Sequence, residues 1–311
     1  MNVRPFDWRD FSILYSYRHR GLFLDNTLLL TRGPVLVPVG ALLASFAPAF
    51  GIFTYLYEDD ANKGAPLVGQ VTHAAGASFA RLSFLAPETS METADLPVLF
   101  DYIAQQIGER GAFHVLAEVE ENSPTFRVLH SAGFAIYARQ RIWQLEGEPQ
   151  VRQGKQPWRS CTSHDILSVR TLYSNLVPGL VQQAEPLPRQ RLKGVVLTHE
   201  EGLLAYIELR YGPVGIWAQP FVHPDAEDFG SRLAYMLQVL PNRRGRPIYL
   251  CVRTYQSWLE PGIEALGARP GPLQAVMVRH LAIARKASQP YAMPAMNSTR
   301  VEPTAPIARV K

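Results

Sequence analysis

Phe84-Leu85-Ala86-Pro87-Glu88 and Phe221-Val222-His223-Pro224-Asp225 carry one pattern, Phe-x-x-Pro-acid, in the two halves of a 311-residue chain. Each closes the third of three strand-like runs rich in aromatic and β-branched residues. In the first half these are Phe50–Glu58, Leu67–His73 and Ser78–Leu85; in the second, Gly194–His199, Leu203–Tyr211 and Val214–Val222. Further on, an amide side chain precedes a glycine by eleven residues in both halves, Asn122 to Gly133 and Gln256 to Gly267. The spans from proline to glycine are 46 and 43 residues, so the order is that of an internal repeat.

Working outward, helical periodicity places helices at Asp7–Tyr17, with Asp7 as N-cap, and at Leu96–Arg110, stopped by Gly111. A strand at His114–Val119, a short helix at Ser123–Ser131 and a strand at Ala138–Leu145 complete the first half. The second half repeats the order: a helix at Ile166–Leu176, the three strands, a helix at Glu227–Leu240, a strand at Ile248–Val252, a short helix at Ser257–Ala265 and a strand at Ala275–Leu281. Gly147–Pro157 is polar, with two glycines and two prolines, and reads as a linker. From residue 285 the periodicity stops, and the composition predicts a disordered tail. The domains expected are therefore 1–146 and 158–284, joined by 147–157 and followed by a basic tail, 285–311.

Composition narrows the function. Lys+Arg number 31 and Asp+Glu 27, and five of the bases lie after residue 284 against one acid, Glu302, so residues 1–284 are neutral. A nucleic-acid partner is not expected from such a body. Cys161 and Cys251 stand far apart and the eight histidines are scattered, so neither a disulfide framework nor a metal site is expected. Arg4, Asp7, Arg9 and Asp10 interrupt the N-terminus where a signal peptide needs an apolar core, which points to the cytoplasm. Gly33–Tyr57 carries no charge over 25 residues, yet Pro34, Pro38 and Pro48 break it. A buried helix near Val37–Phe46 followed by a strand explains it better than a membrane span, which needs roughly 20 apolar residues.

Val119-x-x-Asn122 through Ala132-Gly133-Phe134 resembles the V-x-x-x-N…G-F stretch of the GCN5-related N-acetyltransferases (GNATs), and the element order resembles their fold. The resemblance implies an α/β architecture with a mixed sheet, in two tandem GNAT-like domains. It implies acetyl-CoA or another acyl-CoA as co-substrate, a small-molecule or protein amine as acceptor, and no membrane partner. In that fold two neighbouring strands splay, and the pantetheine arm bonds the exposed backbone as an added strand. The resemblance places that role at Phe84, Leu85 and Ala86. Ser90 and Thr93 fall where the pyrophosphate loop would lie, and Asn122 beside the cofactor. The family's glycine-rich loop is altered: the first half has Ser90, Thr93 and Asp95 at the matching places, the second Glu227, Gly230 and Arg232. Carboxylates there repel a pyrophosphate. The family's acid tyrosine is replaced by Leu129 and by Ile263.

N-acyl transfer needs a base for the amine and an acid for the departing thiolate. The candidates for these tasks are His73, Glu118 and Glu120 as base and Tyr137 as replacement acid. Acyl-CoA-dependent N-acyl transfer is the leading expectation. A catalytically silent tandem that binds a small ligand or a protein, and an aminoacyl or peptidyl transferase, are the alternatives, and the eroded loops favour them.

Overall fold

A computed structural model describes residues 3–34, 36–46, 51–58, 66–90, 95–147, 158–188, 192–199 and 202–281. The N-terminal half supplies β1 (Val3–Pro5), α1 (Phe11–Tyr17), β2 (Leu22–Phe23), α2 (Asn26–Arg32), α3 (Leu36–Phe46), β3 (Ile52–Tyr57), β4 (Leu67–Thr72), β5 (Phe79–Ala86), α4 (Leu96–Glu109), β6 (His114–Glu120), α5 (Pro124–Ser131) and β7 (Ala135–Leu145). The C-terminal half supplies β8 (Trp158–Ser160), α6 (Ile166–Leu176), α7 (Gly179–Ala184), β9 (Gly194–His199), β10 (Gly202–Tyr211), β11 (Ile216–Val222), α8 (Phe229–Gln238), β12 (Ile248–Arg253), α9 (Glu260–Glu264) and β13 (Arg269–His280). The described residues of Gly33–Tyr57 hold α3 and β3, and among the described residues no single helix is long and apolar enough to cross a membrane. The linker residues 148–157 and the tail from 282 lie outside the described residues.

Sequence pattern explains the elements. In α4 the apolar positions Leu96, Leu99, Phe100, Ile103 and Ile107 are all buried, and Gly111, at φ +95°, follows its end. The halves also begin alike. Arg4 grips both carboxylate oxygens of Asp10 (2.6 and 2.8 Å), and Arg159 grips Asp165 the same way (2.7 and 2.6 Å). Each aspartate also accepts a backbone N–H three residues back, from Asp7 and Thr162, closing a capping box. Arg-x5-Asp is thus a third mark of the repeat, readable in the sequence but not among the signals used above.

The strands form one sheet in the order β1-β3-β4-β5-β6-β13-β7-β12-β11-β10-β9-β8, with β2 beside β5. Its sequence of neighbours is unexpected at the centre. β13 pairs with β6 of the other half, β7 pairs with β12, and β13 and β7 pair with each other from Arg269↔Gln144 to Val278↔Ala135. Each half's last strand therefore completes the other half's sheet. The sheet runs unbroken from one half of the chain to the other. The β13–β7 seam holds two equivalent arrays side by side. In each, the third strand of the group runs parallel to the next for three residue pairs, Phe79↔His114 to Arg81↔Leu116 and Ile216↔Ile248 to Ala218↔Leu250. Beyond those pairs the strands diverge, leaving two forks.

Candidate functional site

At the first fork the chain fills its own gap. β2 pairs with β5 (Leu22↔Leu85, Phe23↔Phe84), and the Glu88 N–H donates to the Arg20 carbonyl. Leu24 spans the fork: its N–H donates to Ser83 (3.1 Å) and its carbonyl accepts from Glu118 N–H (2.8 Å). Gly21 is required here, because a Cβ would collide with the Phe84 ring. The other edge of β5 pairs with β4, with Ala86 opposite Val68. Phe84, Leu85 and Ala86 are fully buried, so the backbone expected to receive pantetheine at these residues is already engaged by Arg20–Leu24.

The second fork is closed by one side chain. The Gln256 amide donates to the Pro220 carbonyl (3.0 Å) and accepts from Val222 N–H (2.9 Å), so it bonds β11 as a neighbouring strand would. Gln256 is 1% exposed. Its counterpart by spacing, Asn122, does something different. It is exposed, in a left-handed conformation (φ 76°), and the cap of α5 is Ser123, which accepts from Phe126 N–H. Asn122 thus occupies a tight-turn position after β6.

Among the described residues, the segments after the forks are engaged in other contacts. Gly230 lies inside α8, its Cα against that of Gly262, which makes it a helix-packing residue. Asp228 stands at the start of α8 and holds Ser231 (2.8 Å). In the first half Asp95 accepts from the Tyr57 hydroxyl (2.8 Å). Thr93 lies outside the described residues, and Ser90 ends a short 3-10 turn from Glu88. Leu129 and Ile263, standing where the family has its acid tyrosine, are wholly buried. The acyl-CoA implied by the fold does not fit either fork as built.

Just past the first fork lies a cluster of buried charges. Arg81 joins Glu118 (3.1 Å) and Glu185 (2.5 Å), and Glu185 also joins Arg253 (2.6 Å). The second oxygen of Glu118 accepts from the Asn26 backbone N–H (3.0 Å) and from its side-chain amide (2.8 Å). The chain of bonds continues from Asn26 to Gln274 (3.0 Å), from Gln140 to Gln274 (3.0 Å) and from Cys251 to Gln140 (3.3 Å). It therefore ties α2, β5, β6, β7, β12 and β13 together across the seam. Burial raises the Glu118 pKa, with Arg81 opposing. Burial works against ionisation at Glu185 too, but Arg253 and Arg81 overcome it and hold that carboxyl below its usual range. Tyr137 faces the same groups. Its buried hydroxyl makes no well-formed hydrogen bond among the described residues, and burial together with Glu185 pushes its pKa well up. Burial pushes the Cys251 thiol up to about 12, which keeps it protonated and unreactive.

Of the four catalytic candidates, the structure brings Glu118 and Tyr137 together. His73 is elsewhere: buried, bonded through Nε2 to the Ala77 carbonyl (2.9 Å), and beyond the Thr72↔Arg81 pair at the closed end of the fork. Glu120 is exposed. Neither belongs to the buried cluster. Arg81 and Arg253 escaped the reading of the sequence, although a cation inside an otherwise apolar strand is a signal of a buried pair. Glu185 follows α7 in a polar stretch and gave no such sign.

No family model matches the sequence, and no curated protein matches it. Solved structures do. The chain is similar to a GCN5-related N-acetyltransferase from Sphaerobacter thermophilus, at 11% identity and TM-score 0.55, over 90% of this chain and 95% of that one. It is also similar to a tandem GNAT protein from the clavulanic acid biosynthesis pathway, at 14% identity and TM-score 0.52, over 90% of this chain and 98% of that one. The chain has the GNAT fold in its tandem form.

Proposed function

We propose that this chain keeps the tandem GNAT fold as a binding scaffold and does not use acyl-CoA. One observation carries the reading: both forks are filled from within, by Arg20–Leu24 in one half and by the Gln256 amide in the other. An added strand has no free edge to join where the backbone is already paired. The small ligand or protein partner then binds outside the forks. An open surface depression between α5 and the start of β7, lined by Phe126, Arg127, His130 and Ile136, offers one place for it. Free thiols at Cys161 and Cys251 suit a cytoplasmic location. The neutral body suits a partner other than a nucleic acid.

A second reading, N-acyl transfer to a small-molecule or protein amine, is favoured by the meeting of Glu118 and Tyr137 beside the first fork. Calorimetry of the intact chain with acetyl-CoA and with desulfo-CoA separates the two. No heat at millimolar ligand is the expected result, and saturable one-to-one binding by the unaltered protein would replace the scaffold reading with the transferase. Gly21→Val, which drives residues 20–24 away from Phe84, tests the filling itself. If it is what excludes the ligand, binding appears in the variant alone.

A further inference from the structure

We propose that His114 and His280 form a two-histidine site for a divalent transition-metal ion. They stand directly opposite each other on β6 and β13, a cross-strand pair at the end of the ladder. Their Nδ1 atoms are 3.0 Å apart, with the rings edge to face at 4.8 Å between centroids. Two imidazole nitrogens bound at ~2.0–2.1 Å and about 90° apart at a metal lie about 2.9 Å from one another. The pair therefore already has the separation of neighbouring ligands, and a small turn of either ring about its broad χ2 converges the lone pairs.

The surroundings suit this use. The strands hold both Cα atoms in register, so little side-chain freedom is lost on binding. Both rings are at the surface, where an ion can arrive hydrated. Among the described residues no His, Cys, Asp or Glu completes a group of three, so water fills the remaining positions. Imidazole donors with open positions suit Cu(II), Ni(II) or Zn(II) rather than Mg(II) or Ca(II). The site is independent of the proposed function, since it touches neither fork.

The intact chain is titrated with copper(II) and zinc(II), and the copper complex is examined by electron paramagnetic resonance. One ion per chain with two nitrogen ligands is expected. His114→Ala and His280→Ala should each weaken binding by about tenfold or more, and His199→Ala, exposed at the end of β9, should not change it. Circular dichroism of each variant confirms that the sheet is intact. Two results would overturn the site. One is that the double variant still binds one ion with unchanged affinity. The other is that zinc leaves the imidazole nuclear magnetic resonances of His114 and His280 unmoved, which reduces the pair to an ordinary hydrogen bond.

Discussion

Arg81 shows how much one side chain can decide. It sits between two buried carboxylates, Glu118 and Glu185. Replacing it with methionine leaves those charges without a shared partner, and removing one member of a buried pair costs about 3–5 kcal/mol. Urea unfolding of Arg81→Met should show that loss at pH 7. Because Glu118 then titrates still higher in the folded state, the folded chain holds the extra proton. The loss should therefore shrink as pH falls through the carboxylate range. Asp165 has the opposite sign. The hydrogen bond from Arg159 holds its carboxyl well below the usual range, so its contribution is present above the ordinary Asp pKa of about 3.9 and is lost as pH falls below it. Asp165→Asn should be less stable at neutral pH and lose less on acidification, measured as the urea midpoint from pH 7 to pH 2. Tyr137 and Glu118 were legible as candidates because their residue types suit proton transfer. Their burial among guanidinium groups was not, since Glu185 comes from a distant, polar stretch.

At the scale of elements, the forks are the informative feature. Strand runs ending in Phe-x-x-Pro marked where they lie, since that pattern repeats at the same place in each half. What occupies them could not be read, because a two-residue strand such as β2 carries no periodicity of its own. Nor does a lone glutamine announce that it imitates a backbone. Gln256→Ala strips the partners from the Val222 N–H and the Pro220 carbonyl in a buried setting, an expected cost of about 2 kcal/mol. Hydrogen exchange at the Val222 amide should accelerate accordingly, while the β9–β10 ladder stays protected. α2 is a further surprise. It belongs to the first half but packs on the second, its Thr31 carbonyl accepting from Val214 N–H (3.1 Å). Gly212 and Gly215 permit that approach, for a Cβ at either would collide with the Thr31 or Leu30 carbonyl.

Over the whole molecule, the exchange of last strands makes two repeats into one body. Cutting the chain inside the linker leaves one half without the strand that completes its sheet beside β6, and the other without the strand beside β12. Each exposed edge would then be long and unpaired. The two halves produced alone should be unfolded or aggregated by circular dichroism and size-exclusion chromatography, and should regain structure only when produced together. Independent folding of either half would contradict the seam as a requirement for stability.

Local pattern by itself determined the repeat, the longer helices and strands of each half, and the erosion of the phosphate loop, because periodicity, capping residues and glycine placement act over a few neighbours. Only the tertiary structure decided that β7 and β13 change places, that Arg20–Leu24 and Gln256 close the forks, and that Arg81, Glu118, Glu185 and Arg253 meet. Those outcomes depend on strand edges and charges brought together from positions up to 248 residues apart, as Asn26 and Gln274 are. A hydrogen-bonding edge accepts any backbone or amide that reaches it, so the sequence of the edge does not name its partner.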